Sequence, residues 1–216
     1  MSSDASKLKF FSKFERHSSP SSCPLPPSLT NTRSLFNCPT NADLTITCHE
    51  LTFPAHHNIL SLHTPFFSTA TTNFSGATTA TVDLPDHSTA TVTRFLKWCY
   101  TGDYPTLLPP ELANPDHAPG ELHLKVYFLA DYLGVEELKE LAARKYRSHW
   151  VKGEENEFIG EVREVWENTC GEDDKMRAAV LQKARKWNLD LKKLEAYREV
   201  LMEVEGFAVE LAWNHF

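Results

Sequence analysis

No stretch of this 216-residue chain approaches the ~20 consecutive apolar residues that a bilayer-spanning helix needs. The N-terminus has no charged-then-apolar leader. Its Lys7, Lys9, Lys13 and Arg16 are mixed with Asp4 and Glu15, unlike an acid-poor transit peptide. The expected location is therefore the cytoplasm or nucleus, with no membrane partner. Cysteine is sparse: Cys23, Cys38, Cys48, Cys99 and Cys170 are scattered, odd in number and free of any Cys-x-x-Cys. That argues against a disulfide scaffold and against a structural zinc site. Glycine is scarce too, at eight residues, and neither G-x-x-x-x-G-K-[ST] nor G-x-G-x-x-G occurs, so no phosphate cradle is encoded. Basic residues are in deficit, 22 Lys and Arg against 29 Asp and Glu, and the net charge of −7 gives no electrostatic footprint for nucleic acid.

What is present is an ordinary soluble composition, 41% hydrophobic and 24% charged, in a chain long enough for one sizeable domain with appendages. Residues 1–36 are rich in Ser and Pro and bury too little apolar surface to offset the entropy of ordering. They are expected to form a disordered tail. Within it Leu8, Phe10, Phe11 and Phe14 suit a transient helix or docking peptide, and Pro24 and Pro27 form a P-x-x-P.

The organising stretch is Leu51–Leu60 with the following Ser61–Phe67. It is read as an extended segment that switches to helix at Pro54-Ala55 and continues into a two-helix hairpin, with Ile59, Leu60, Phe66 and Phe67 as core. Before it, Leu44, Ile46 and Cys48 alternate with Asp43, Thr45, Thr47 and His49, the period of a half-buried strand. His49-Glu50 would make the hairpin turn, although neither residue is favoured there. Thr81–Pro85 reads as a short third strand. In Ser88–Cys99, Val92, Phe95, Leu96 and Cys99 share one helical face, Ser88 suits the N-cap, and Gly102 suits a left-handed C-terminal stop.

Residues 104–120 carry five prolines and read as a surface insertion. Glu121–Leu133 and Val135–Trp150 are expected helices. The first turns Val126, Leu129, Ala130 and Leu133 inward, and the second Leu138, Leu141, Ala142 and Tyr146. Beyond Lys152 the pattern is wholly helical. One stripe holds Phe158, Val162, Val165 and Trp166. A second holds Met176, Ala179, Val180, Lys183, Ala184 and Trp187. A third holds Leu194, Tyr197, Leu201 and Val204. Lys183 is expected at the edge of its stripe, stem packed and charge in water.

Candidate chemistry is thin. Cys48, His49, His56, His57 and His63 fall in one window, but their spacing matches no standard zinc pattern. A metal-dependent hydrolase built on His49, His56, His57 and His63 is the remote alternative. Cys99 sits on an apolar helix face, and Cys170 stands beside Glu172, Asp173 and Asp174, a setting that disfavours a thiolate. Carboxylate runs such as Glu136-Glu137 and Glu154-Glu155 read as solvated faces. No catalytic residue, metal ligand or cofactor site is assigned, and no enzyme is expected.

The fragments DLTI, LTFPAHHNILSLHTPFF, VDLPD, FLKWCYTGDY and LADYLGVEELKELA, in that order, resemble the BTB/POZ domain, especially its fungal members. The resemblance implies an α+β fold: a small three-stranded sheet flanked by helical hairpins, followed by an all-helical tail. It divides the chain into a tail at 1–36, a BTB/POZ domain at 37–150 and a helical extension at 151–216. It implies a non-catalytic protein–protein interaction module that binds a partner protein and in relatives often forms a homodimer, with a cullin-3 ubiquitin-ligase adaptor as the alternative. His56 resembles the family's structural histidine at a helix start.

The resemblance also places interaction residues, at Asp43, His57, Phe95, Trp98, Tyr100, Tyr104 and Glu111. Asp43 matches the acidic member of a corepressor pocket, but the basic position holds His57, mostly neutral at pH 7. Pro109-Pro110-Glu111 meets the cullin-contacting pattern only weakly. The Ser/Pro tail does not resemble the segment that relatives swap on dimerising.

Overall fold

The computed structural model describes residues 32–72, 80–109, 120–149, 154–171 and 174–213. The docking peptide and P-x-x-P of the tail, Glu111 and most of the proline-rich insertion lie outside the described residues. The chain divides into two compact units, Met1–Pro115 and Asp116–Phe216.

In the first unit, β1 (Leu44–Cys48) is the central strand, with β2 (Leu51–Ala55) antiparallel on one side and β3 (Ala80–Asp83) parallel on the other. Leu44, Ile46 and Cys48 are fully buried, as their alternation requires. Ile46 pairs with both Phe53 and Val82, so one apolar row crosses the whole sheet. On the other face the Thr47 hydroxyl donates to Asp83 Oδ1 at 2.6 Å, fixing the same register.

The turn after β1 takes an unusual residue. His49 has φ 52°, a conformation that normally favours glycine. Its Nε2–H is tied to the His87 carbonyl at 3.1 Å, and that carbonyl also receives the Cys48 thiol.

The chain does not become helical at Pro54. β2 runs on to Ala55, and Pro54 pairs opposite Thr45 on an edge strand, where a missing donor is tolerated. Helix begins only at α1 (His57–Leu60), followed by α2 (Pro65–Thr72). Of the expected core residues here, Leu60 and Phe67 are buried, whereas Ile59 and Phe66 are half-exposed.

α3 (Thr89–Thr101) is the unit's axis. The Ser88 hydroxyl accepts from the Thr91 N–H, and Gly102 at φ 75° closes the helix on the Trp98 carbonyl. Nearly every residue of α3 is buried, well beyond the single stripe on Val92. Its buried hydroxyls are satisfied internally, Thr93 on the Thr89 carbonyl and Thr101 on those of Lys97 and Asp103.

The second unit is helical throughout its described residues: α4 (Glu121–Tyr132), α5 (Glu136–Ser148), α6 (Glu155–Asn168), α7 (Lys175–Lys186), α8 (Asn188–Leu191), α9 (Glu195–Glu203) and α10 (Phe207–Trp213). Gly134 at φ 68° lets α4 stop and α5 start within three residues. Asp174 caps α7, accepting from the Met176 and Arg177 N–H groups through Oδ1, while Oδ2 receives the Tyr127 hydroxyl at 2.8 Å. The third stripe differs from expectation. Tyr197 and Val200 are its buried members, while Leu194, Leu201 and Val204 are half-buried.

Lys183 is not at a wet edge. Its side chain is 4% exposed, and Nζ lies 2.9 Å from Glu161 Oε2. It also stands 4.6, 5.2 and 5.0 Å from the ring centroids of Tyr146, Phe158 and Trp187. The Tyr146 hydroxyl donates to the same Glu161 oxygen at 2.6 Å. A Cβ on Gly120 would come within 2.1 Å of Glu161 Oε1, so a larger residue there would have to displace the carboxylate from its place.

Candidate functional site

The residues singled out in the sequence gather in the first unit around α3 and the strand ends beside it. His56, 8% exposed, precedes α1 and belongs to a closed network. Nε2 lies 2.9 Å from the Thr40 carbonyl, which can only accept, so that nitrogen carries the proton. Nδ1 is then left to accept from the Tyr100 hydroxyl at 2.9 Å, while that hydroxyl accepts from the His56 backbone N–H at 3.0 Å. The phenol is consequently buried and pushed well above its ordinary range, chiefly by desolvation. The Thr32 hydroxyl donates to the Tyr100 carbonyl, bringing a residue of the expected tail into contact with α3.

Asp43 and His57 do come together, but not as an acid–base pair of side chains. Asp43 Oδ1 accepts from the His57 backbone N–H at 2.7 Å. The acid thereby caps α1 from the start of β1, because the N-cap residue His56 makes no such bond itself. Asp43 is exposed and His57 half-exposed, so both remain on the rim.

Phe95, Trp98, Tyr100 and Tyr104 are buried, at 0, 5, 1 and 2% exposure. Phe95 stacks on Phe67 and Trp98 tilts against the His63 ring. All four side chains therefore lie beneath the surface of the unit.

The histidine window does not converge. His49 is held by the His87 carbonyl, His56 by Tyr100 and Thr40, and His63 Nε2 lies 3.0 Å from the Cys99 carbonyl. Among the described residues no group of three His, Cys, Asp or Glu could hold a metal ion. Burial pushes the Cys48 thiol up to about 11 and the Cys99 thiol well above its usual value, so both are poor nucleophiles. The apolar notch between Phe36, Phe53, Pro54, Leu96 and Tyr100 is too tight for a substrate. No described helix is long and apolar enough to cross a membrane.

One residue escaped the sequence reading. Arg94, in the middle of α3, is 7% exposed. Its Nε and Nη2 donate to the carbonyls of Pro105 and Thr106, each at 3.1 Å. Burial pushes the guanidinium down to about 10, still a cation at neutral pH. The signal was there. A helix that places Trp98 and Tyr100 as well as Val92, Phe95 and Cys99 is apolar on more than one face, which leaves little exposed surface for its two charges, and of these Arg94 is buried while Lys97 stays half-exposed.

A family model described as BTB/POZ domain matches residues 33–149. Among solved structures the chain is similar to the BTB (Tramtrack and Bric a brac) domain of human Gigaxonin. The two are 20% identical, with 59% of this chain and 98% of that chain covered and a TM-score of 0.42. It is likewise similar to the BTB domain of zebrafish PATZ1, at 16% identity, 59% and 100% coverage and a TM-score of 0.41. No curated protein matches the chain.

Proposed function

The chain belongs to the BTB/POZ family, whose domains are generally protein-interaction modules, and on that premise we propose that it binds a partner protein through the first unit and performs no chemistry itself. The observation that carries this reading is where the reactive groups point. His49, His56, His63 and Cys48 are all bonded to carbonyls of the chain's own backbone, so they hold the scaffold together. The partner surface is the rim above α3, from Asp43 and His57 to the start of the proline-rich insertion, with Phe95, Trp98, Tyr100 and Tyr104 as its rigid base. Glu111, the remaining interaction residue, lies outside the described residues. The setting is the cytoplasm or nucleus.

Light scattering over a concentration series, combined with a pull-down of purified cullin-3, tests the reading. A mass that doubles with concentration assigns the rim to a second copy, and retention of cullin-3 at micromolar concentration assigns it to the ligase scaffold. Asp43→Lys with Leu107→Asp should abolish whichever association is seen. Association untouched by those changes overturns the rim. Stoichiometric zinc in tag-free protein overturns the contact-only reading.

A further inference from the structure

Arg94 is nine-tenths buried, yet among the described residues no carboxylate pairs with it. Its partners are two main-chain carbonyls, which neutralise part of a cation but supply no counter-charge. Asp103, just past the end of the same helix, accepts from the Tyr104 N–H at 2.8 Å. The remaining guanidinium nitrogen, Nη1, makes no hydrogen bond among the described residues. Leu107, one residue beyond the clamped Thr106 carbonyl, is 86% exposed. A desolvated, pre-oriented cation with one nitrogen unbonded among the described residues, and an unburied leucine one residue past its anchoring carbonyl, are the ingredients of an interface hot spot.

We propose that Arg94 receives a carboxylate from a partner protein at Nη1, with Leu107 packing against an apolar side chain next to that carboxylate. The inference rests on the rim described above and names the chemistry the rim recognises. The two carbonyls hold the fork in place, so little side-chain entropy remains to be lost on binding. Desolvation makes the new ion pair stronger than one on an open surface. Selectivity follows, because a neutral amide in place of the carboxylate would leave the buried charge uncompensated.

The test uses the full chain and blocked tetrapeptides carrying Leu two residues from Glu, together with their Gln twins. Nitrogen–proton NMR of the Arg94 Nε–H and the Leu107 amide reads the binding. The Glu peptide should shift both signals saturably at millimolar concentration, with the Gln twin at least about tenfold weaker, equivalent to about 1.4 kcal/mol. In Arg94→Met the Leu107 shift should vanish while the rest of the spectrum stays dispersed. Equal binding of the twins, unchanged binding by Arg94→Met, or no saturable shift overturns the proposal. Sodium acetate matching the peptide, with Leu107→Ser inert, overturns a protein as the source of the carboxylate. A self-association or cullin-3 complex that survives Arg94→Met sinks this inference and leaves the broader function standing.

Discussion

Arg94 in the first unit and Lys183 in the second are both cations removed from water, at 7% and 5% exposure. Their surroundings have little in common. Lys183 is sealed among three aromatic rings and bonded to a carboxylate that a tyrosine also holds. Arg94 has two carbonyls and, among the described residues, no carboxylate. Removing one member of a buried pair leaves the other charge stranded, whereas removing a cation that has no partner charge strands nothing ionic. The same degree of burial therefore marks a structural lock in one unit and an unfilled valence in the other.

That contrast can be broken by experiment. Lys183→Ala should lower the unfolding free energy by about 3–5 kcal/mol, read from guanidinium denaturation, because Glu161 is left buried and unpaired. Lys183→Met with Glu161→Leu should recover most of the loss. If Lys183→Ala costs under about 1 kcal/mol, the lock does not exist.

The next largest effect is alkaline. The Cys48 thiol is raised from 9.0 to about 11 in the folded chain, chiefly by burial. The native state therefore holds this proton more tightly than the unfolded one. Its contribution is complete below pH 9 and is lost as pH rises toward 11, about 2–3 kcal/mol in all. Hydrogen exchange of the β1 amides should show it, and Cys48→Ala should flatten the slope.

Asp43→Ala should cost about 1 kcal/mol through the lost cap of α1. Arg94→Met should stay within about 1 kcal/mol of the natural chain. The relieved charge burial offsets two carbonyls that can turn to water. A loss for Arg94→Met as large as that for Lys183→Ala would erase the distinction between the two cations.

The helices were legible because their signals are local. Ser88 and Gly102 bracket α3, Gly134 separates α4 from α5, and apolar spacing picks the inward faces. What stayed hidden depends on residues far apart in the chain. Periodicity assigns Lys183 to a face but says nothing of depth, which comes from Glu161 and from rings on α5, α6 and the end of α7. The capping role of Asp43 spans fourteen residues and follows no short motif. Pro54 looked like a helix starter because its tolerance within β2 depends on that strand lying at the sheet's edge.

The Lys183 cluster also bears on how the molecule can be trimmed. The family match stops at His149, three residues past Tyr146, while Glu161 and Lys183 lie beyond it. Excising the matched segment at that border would keep the phenol and discard both of its charged companions. The exposed stub would offer apolar α5 surface to its neighbours, so clumping after such a cut would report a misplaced border and no failing of the fold.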